Sequence, residues 1–209
     1  MVKKSYKKRK KFKKEYDVTI LLLGKNSQIG KEFEKIEKTI SIDSFKINFE
    51  SNLDEVDSLI AQLKPDIVIN TAAYNKVDKA EKEKEKAYRI NSEAPGRIAY
   101  FCKKKHIPLI HFSSDFVFDG KKKDTYDEED LTNPLSFYGD SKLKGEKNII
   151  FNTKNYIIIR TSWVFSSHNN NFVKSIISNS FKNNKLKVVS DEYGCPTSAS
   201  DLAFLLKTI

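Results

Sequence analysis

The sequence predicts an α/β fold with a mostly parallel, doubly wound sheet and helices on both faces. Short, continuous apolar runs alternate along the chain with longer stretches of helical periodicity, as in a parallel sheet that is covered on both sides. The first apolar run leads directly into a glycine-containing turn and a helix, which is the context of a dinucleotide-binding fingerprint. Residues suited to ligand contact follow the strands, at the edge where such sheets bind ligands: Gly24, Asp43, Thr71, Ser114 and Thr161. Together these observations predict a Rossmann-like domain.

Composition is that of a soluble, single-domain protein. The chain has 209 residues, 39% of them hydrophobic and 32% charged, which is enough to bury a sizeable core. No apolar run approaches the roughly 18 residues that a membrane span requires, and the N-terminus lacks the apolar core of a secretion signal. We therefore expect a cytoplasmic protein with no membrane span.

The net charge of +10 comes mostly from the first residues. Residues 1–14 contain nine Lys or Arg and no acid, and removing them leaves 29 of the 38 basic residues against 28 acidic ones. We expect a basic, disordered tail over residues 1–16 and one domain over residues 17–209. The tail is either a solubilising extension or a weak contact for an anionic partner. No nucleic-acid recognition module follows it.

The two cysteines indicate neither a disulfide nor a metal site. Cys102 and Cys195 lie far apart in sequence, outside any metal-ligand spacing. We expect free thiols in a reducing compartment, without a catalytic role, and no bound metal.

The first strand and turn carry the dinucleotide signal. Val18–Leu23 is a continuous apolar run with β-branched residues, and the turn Gly24–Gly30 precedes a helix predicted over Lys31–Lys38. The first glycine permits a tight turn, and the last lets the helix pack closely on the strand. The start of the helix would offer backbone N–H groups and a positive dipole end to a pyrophosphate.

The second and third strands flank one helix. Asp43 ends a strand predicted over Thr39–Asp43, where an acid either accepts hydrogen bonds from an adenosine ribose or forms an ordinary turn. Apolar residues three and four apart predict a helix over Leu53–Leu63, with Asn52 as N-cap. The third strand, Pro65–Asn70, is followed by small residues, which suit a backbone that passes close to a ligand.

The rest of the chain continues the alternation. The predicted helices are a charged one from Asp78 to about Asn91, a second from Pro95 to Lys105, a third over Asn171–Lys182 and a fourth from Ala199 to the last residue. The predicted strands are Pro108–Ser113, Tyr156–Arg160 and Lys185–Val189. The polar, acidic loop between Lys121 and Pro134 is a candidate rim for a site.

A helix to about Phe151 places Tyr138 and Lys142 four residues apart, on one face. A cation beside a phenol favours the phenolate, so we expect a pKa for Tyr138 below its usual value of about 10. Such a phenol could exchange a proton with a carbonyl oxygen near neutral pH. The alternative is an ordinary surface helix, since Y-x-x-x-K is a common pattern.

Several stretches taken together resemble the dTDP-4-dehydrorhamnose reductase family of extended short-chain dehydrogenase/reductases. The match begins with Leu21-Leu-Leu-Gly-Lys-Asn-Ser-Gln-Ile-Gly30 and Pro65-Asp-Ile-Val-Ile-Asn-Thr-Ala-Ala-Tyr74. It continues with Val77-Asp-Lys-Ala-Glu81, Phe112-Ser-Ser-Asp-Phe-Val-Phe-Asp-Gly120, Asn133-Pro-Leu-Ser-Phe-Tyr-Gly-Asp-Ser-Lys-Leu-Lys-Gly-Glu146, Arg160-Thr-Ser-Trp-Val164 and Gly194-Cys-Pro-Thr197. The combination is specific to the family, whereas Y-x-x-x-K alone marks the superfamily.

The resemblance implies NAD(P)H-dependent reduction of the C4 ketone of a dTDP-4-keto-6-deoxy sugar, in dTDP-rhamnose or surface polysaccharide synthesis. Tyr138 would donate the proton, Lys142 would hold the nicotinamide ribose and tune Tyr138, and Ser114 would bond to the substrate carbonyl. Asp115 and Trp163 match positions that contact the sugar nucleotide. The cofactor-side positions, besides Tyr138 and Lys142, are Gly24, Gln28, Ile29, Gly30, Asp43, Asn48, Phe49, Ala73, Tyr74, Asn75 and Phe112. For Trp163, Phe112 and Phe49, packing in the core is the alternative role.

Three departures from the family pattern leave alternatives open. Ser27 replaces the middle glycine of G-x-x-G-x-x-G, Asn48 stands where an aspartate is frequent, and family members continue beyond Gly194–Thr197, so we expect a truncated substrate lobe. A non-catalytic NAD(P)-binding or regulatory relative is therefore the second hypothesis. Another extended reductase, epimerase or dehydratase is the third, although Phe116 after Asp115 removes the acid pair usual in dehydratases.

The choice between NAD and NADP also stays open. Asp43 favours NAD through the ribose 2′-hydroxyl, whereas Lys25 could pair with the 2′-phosphate of NADP. An oligomer is possible, and the sequence does not specify its size.

Overall fold

The computed structural model describes residues 18–37, 40–42, 49 and 53–209. The predicted tail over residues 1–16 lies outside these ranges, as do the predicted cofactor-side residues Asp43 and Asn48 and the predicted N-cap Asn52. The division into a tail and a domain therefore stays a prediction.

Helices and strands alternate along the described chain, as the sequence predicts. The strands are β1 (Ile20–Leu23), β2 (Ile40–Ile42), β3 (Ile67–Asn70), β4 (Leu109–Ser114), β5 (Tyr156–Thr161), β6 (Val164–Phe165) and β7 (Thr197–Ser198). The helices are α1 (Gln28–Ile36), α2 (Asp54–Leu63), α3 (Val77–Ala80), α4 (Lys84–Tyr88), α5 (Ala94–Lys105), α6 (Phe137–Asn152), α7 (Phe172–Ser180) and α8 (Ala199–Thr208). A π-helical turn over Arg89–Glu93 joins α4 to α5, and a 3₁₀ turn over Asp115–Val117 follows β4.

The central sheet has five strands in the order β2-β1-β3-β4-β5. Every pairing between these strands is parallel, which confirms the predicted sheet type. Strand β2 pairs with one side of β1 and β3 pairs with the other side, so the direction in which strands are added reverses at β1. A ligand cleft is expected at this switch point, beyond the carboxyl ends of β1 and β3.

Successive residues of each strand point to opposite faces, so the sheet has two cores. On one face Leu21, Leu23, Val68 and Leu109 pack with α2 and α5, for example against Ile60 and Ile98. On the other face Leu22, Ile69 and Ile110 pack with α1 and α8, for example against Phe33 and Leu202. Helices therefore cover both faces, as the sequence predicts.

The predicted break near Asn91 is not a helix end. Helix α4 continues through the π-helical turn into α5, where the Ala94 amide bonds to the Arg89 carbonyl, five residues back. Pro95 has no N–H, so the carbonyl of Asn91 loses its usual helical partner and the helix widens. Gly145 of α6 passes this carbonyl so closely that a Cβ would lie 2.1 Å from it. The wide turn thus brings α6 against the helix.

The predicted strand over Lys185–Val189 is wrong. These residues form no strand, and Val188 and Val189 are 51% and 64% exposed. Their β-branched side chains have strand propensity, but propensity forms a strand only where a neighbour offers a free edge. The parallel pair β6 and β7 forms instead, across Val164–Phe165 and Thr197–Ser198.

Both cysteines of the chain are free thiols, as predicted. Cys102 is buried, and this burial raises the pKa of its thiol to about 12, so the thiol stays protonated and unreactive. Cys195 is exposed. None of the helices within the described ranges is both long enough and apolar enough to cross a bilayer.

Candidate active site

A cleft of about 700 Å³ lies at the carboxyl ends of the strands. The residues that line it come from the start of α1, the loop after β3, the end of β4 with its 3₁₀ turn, the start of α6 and the segment after β5. Ser114, Tyr138 and Lys142 all line it, together with the predicted substrate-side residues Asp115 and Trp163. The structure therefore brings together the residues on which the sequence-based assignment depends.

The first glycine of the turn is required by its backbone. Gly24 has a φ of +87°, in the left-handed region, and a Cβ there would lie 2.5 Å from the amide nitrogen of Ala72. Gly30 lets α1 approach the turn, since its Cβ would lie 2.6 Å from the Gly24 carbonyl. Gly24 thus has the predicted role in a tight turn, whereas Gly30 packs on the turn itself and not, as predicted, on the strand.

Ser27 is the N-cap of α1, which begins at Gln28, three residues earlier than predicted. Its Oγ accepts a hydrogen bond from the Gly30 amide at 2.9 Å, which is the usual N-cap contact. The same hydroxyl donates to Thr71 Oγ1 at 2.8 Å, and Thr71 Oγ1 donates to the carbonyls of Leu23 and Gly24. The serine that replaces the family glycine therefore ties the turn to β3.

Tyr138 and Ser114 are buried side by side at the base of the cleft, each 7% exposed. Burial raises the pKa of Tyr138 to about 12; a hydrogen bond with Ser114 opposes this rise, and the charge of Asp115 adds to it. The predicted fall in the Tyr138 pKa is therefore wrong for the protein alone, because desolvation outweighs the hydrogen bond from Ser114 that favours the phenolate. At neutral pH the phenol carries its proton.

Lys142 is almost fully buried, with 2% exposure, one helical turn beyond Tyr138. Its Nζ donates to the carbonyl oxygen of Phe112 at 2.6 Å. Burial lowers the pKa of Lys142 to about 8, and the negative charge of Glu146 opposes that fall. A cation held in this way is fixed in position, one helical turn from Tyr138.

Glu146 belongs to a buried ion pair behind Lys142. Arg160 of β5 donates to its carboxylate through two nitrogens, Nε to Oε1 at 3.0 Å and the terminal nitrogen to Oε2 at 2.8 Å. The glutamate side chain is 3% exposed and the arginine 26%. This forked geometry fixes α6 against β5 and so fixes the position of Tyr138 and Lys142.

The wall opposite α6 is built from the residues after β5. Trp163 has a φ of +44°, which is strained for a bulky residue. The backbone of Gly194 contacts its indole so closely that a Cβ at Gly194 would lie 2.6 Å from the ring. Phe172 packs against the same indole with ring centroids 5.6 Å apart. Trp163 thus faces the cleft between two supporting residues.

The predicted cofactor-side residues fall into two groups. Gln28, Ile29, Ala73, Asn75 and Phe112 line the cleft. Among the described residues Gly24, Gly30, Tyr74 and Phe49 are not part of that lining. Tyr74 is buried, with its hydroxyl donating to Glu83 at 2.9 Å and its backbone held by Asn91, and Phe49 packs in the core.

Sequence reasoning missed several lining residues. Ser113 has a buried hydroxyl without a hydrogen-bond partner in the described part of the chain, and it faces the cleft. Asn170 and Phe172 also line the cleft, from a segment without a recognised motif. The only available signal was the position of this segment after a strand end. In the described ranges no three His, Cys, Asp or Glu side chains are grouped to hold a metal ion.

This fold and cleft define a domain of the extended short-chain dehydrogenase/reductase class. A parallel doubly wound sheet ends in a cleft that is lined by the start of the helix after a glycine turn and by a Ser–Tyr–Lys set. The chain belongs to the family described as the RmlD substrate binding domain, whose family model matches residues 18–209.

Relatives support this assignment over most of the chain. The dTDP-4-dehydrorhamnose reductase of Sinorhizobium fredii is 44% identical over 154 residues, which are 74% of this chain and 52% of the relative. The enzyme of the same name from Salmonella typhimurium is 36% identical over 89% of this chain and 64% of the relative. The chain thus spans between half and two thirds of the length of these two relatives.

A solved structure shows the same fold. The dTDP-4-dehydrorhamnose reductase of Bacillus anthracis in complex with NADP superposes with a TM-score of 0.88, at 31% identity. The match covers 92% of this chain and 70% of that one.

Proposed function

We propose that this protein takes part in the NAD(P)H-dependent reduction of the C4 ketone of a dTDP-4-keto-6-deoxy sugar, in dTDP-rhamnose or surface polysaccharide synthesis. The observation that carries the proposal is that Ser114, Tyr138 and Lys142 line one cleft with the start of α1. The names of the relatives support the substrate class, and the B. anthracis complex supports NADP as a cofactor beside NAD.

The residues present fit a dinucleotide. Gln28 and Ile29 are the first two residues of α1 and line the cleft, and their amides are at positions where a helix has no internal partner. Such a helix start attracts a pyrophosphate. The buried hydroxyl of Ser113 offers a further polar partner to a ligand. When bound, the cofactor supplies the hydride.

The protein supplies the proton and stabilises the developing charge. Tyr138 is protonated at neutral pH, so it can donate its proton to an oxygen that becomes an alkoxide. Ser114, which hydrogen-bonds to the phenol, can donate to the same oxygen. Lys142 places a cation beside the phenol and stabilises the negative charge that Tyr138 takes on after proton transfer.

The remaining assignments are also part of the proposal. Asp115 and Trp163, which both line the cleft, would contact the sugar nucleotide. A cytoplasmic location follows from a nucleotide-sugar substrate and free thiols. The anionic partner of the tail and a possible oligomer stay predictions.

NADPH oxidation in the presence of the dTDP-4-keto-6-deoxy sugar tests the proposal. We expect Tyr138→Phe to lower turnover by about 10²-fold or more, because the proton donor is lost. Tyr100→Phe is the matched control, since Tyr100 is 38% exposed on α5, and it should turn over like the wild type. A folded wild type that shows no turnover and matches Tyr138→Phe would contradict the proposal. NADPH binding without turnover would favour the non-catalytic relative.

A further inference from the structure

Side chains tie the start of α1 to the segment of residues 164–171, although the two are far apart in sequence. Gln28 is at the centre, with three hydrogen bonds to residues that are 136, 138 and 143 positions further along the chain. The first region carries the proposed pyrophosphate site, and the second leads into the wall around Trp163. The contact therefore joins the two halves of the cleft.

The side-chain amide of Gln28 makes most of its possible hydrogen bonds to this segment. Its Nε2 donates to the carbonyl oxygen of Val164 at 2.9 Å. Its Oε1 accepts from Ser166 Oγ and from Asn171 Nδ2, each at 2.9 Å. An amide can make four hydrogen bonds, and three of them are directed at one segment here.

Other side chains support the same contact. Asn169 donates from Nδ2 to the Asn26 carbonyl at 2.7 Å and accepts from Lys31 Nζ at 3.3 Å. His168 lies 3.4 Å from a carboxylate oxygen of Glu32. The two contacts of Asn169 are exposed, whereas those of Gln28 are partly buried.

The tied segment forms much of the substrate side of the cleft. Its lining residues are Val164, Phe165, Asn169, Asn170 and Asn171. Regular structure holds the segment only weakly, because β6 has two residues and pairs with a strand of two residues. Val164 packs against the core, but Ser167, Asn169 and Asn170 are exposed, so burial holds the rest of the segment weakly.

We propose that Gln28 is a positioning residue that seats residues 164–171 on the dinucleotide turn and thereby sets the affinity for the nucleotide sugar. The inference rests on the proposed function. It differs from a direct cofactor role, because the side-chain amide of Gln28 is bonded to Val164, Ser166 and Asn171. Loss of the side chain should therefore weaken nucleotide binding more than cofactor binding.

Calorimetric titration of the full chain with NADPH and, separately, with dTDP tests this inference. We expect Gln28→Ala to raise the Kd for dTDP about tenfold, because partly buried hydrogen bonds are lost, and to change the Kd for NADPH less than about twofold. Gln28→Met keeps the length of the side chain without the amide, so it should behave like Gln28→Ala. Gln62→Ala, at the chain's other glutamine, is exposed on α2 and should match the wild type.

The outcomes separate the two proposals. A wild type that binds neither ligand overturns the proposed function, and this inference with it. A wild type that binds both, with a Gln28→Ala variant of unchanged dTDP affinity, overturns the inference alone. An equal loss of affinity for NADPH and dTDP in Gln28→Ala also overturns it, since it would indicate a direct cofactor contact or general damage. A Gln28→Met variant with wild-type dTDP affinity would show that side-chain volume matters and the hydrogen bonds do not.

Discussion

The floor and the wall of the cleft are built by different physical means. The floor is made by Ser114, Tyr138 and Lys142, which are 7%, 7% and 2% exposed and are held between β4 and α6. The wall is made by residues 163–173 and 188–196, in which Phe172 and Val189 are 53% and 64% exposed. Core packing and the buried Glu146–Arg160 ion pair position the floor. Hydrogen bonds from side-chain amides position the wall, which also contains the strained backbone of Trp163.

This difference predicts where substitutions will have their effect. A buried group has many fixed neighbours, so its loss changes chemistry or the free energy of unfolding. An exposed group that faces a ligand has few such neighbours, so its loss mainly changes ligand affinity. The predictions below test this division between the floor and the wall.

The largest effect is expected on the floor, at Lys142. Lys142→Met should reduce NADPH oxidation about 10³-fold, because the cation that stabilises the ionised phenol is removed. Lys144→Met is the matched control: it lies on the same helix, is 46% exposed and pairs with Asp140 at the surface. Equal activity of the two variants would contradict a catalytic role for Lys142.

The ion pair behind the floor should matter next, for stability. Glu146→Gln leaves Arg160 partly buried without its counter-charge, which should cost about 2 kcal/mol of the free energy of unfolding. A fully buried pair would cost about 3–5 kcal/mol, but the arginine is 26% exposed. Asp140→Asn breaks an exposed pair on the same helix and should cost about 0.5 kcal/mol or less in denaturant unfolding. Equal costs would contradict the difference in burial.

A smaller effect is expected in the pH dependence of stability. The pKa of Lys142 is about 8 in the fold and 10.5 in its ordinary environment, so the unfolded chain binds this proton more tightly. Below pH 8 Lys142 is charged in both states, so the full cost of burying the charge lowers the free energy of unfolding. Above pH 8 Lys142 loses its proton in the fold, and this cost falls. Between pH 8 and 9 the wild type should gain about 1 kcal/mol relative to Lys142→Met, measured by urea unfolding at each pH. If the free energy of unfolding changed with pH in the same way in both proteins, this would contradict a buried Lys142 that loses its charge near pH 8.

The smallest effect on stability is expected in the wall. Phe172→Ala removes an exposed ring, so the free energy of unfolding should change by about 0.5 kcal/mol or less. The Kd for dTDP should still rise severalfold, because Trp163 loses a supporting ring 5.6 Å away. Phe181→Ala, at an 86% exposed phenylalanine beyond α7, is the control for both measurements. A large loss of stability in Phe172→Ala would remove the distinction between floor and wall.

The sequence predicts the floor better than the wall, for a physical reason. Apolar runs and glycine positions specify buried strands and the turn at Gly24, because these depend on local pattern. The spacing of Tyr138 and Lys142 likewise follows from the helix alone. By contrast, the side-chain contacts of Gln28 depend on residues more than 130 positions away, and no local pattern contains them.

Two errors show what local reasoning lacks. The pKa of Tyr138 was expected to fall because of a neighbouring cation, but the burial that raises it depends on tertiary packing. The strand expected over Lys185–Val189 has suitable residues, yet no strand forms there in the described chain. Charge and propensity are properties of the sequence, whereas desolvation and available partners are properties of the fold.

In the proposed reaction Ser114 and Tyr138 act on the same substrate oxygen. Single-turnover NADPH oxidation by the wild type, Ser114→Ala, Tyr138→Phe and the double variant measures whether they do. If both groups stabilise the same oxygen, the two losses are not additive, and the double variant should be no more than about twofold slower than the slower single variant. Losses that multiply in the double variant, or single variants as fast as the wild type, would contradict the claim.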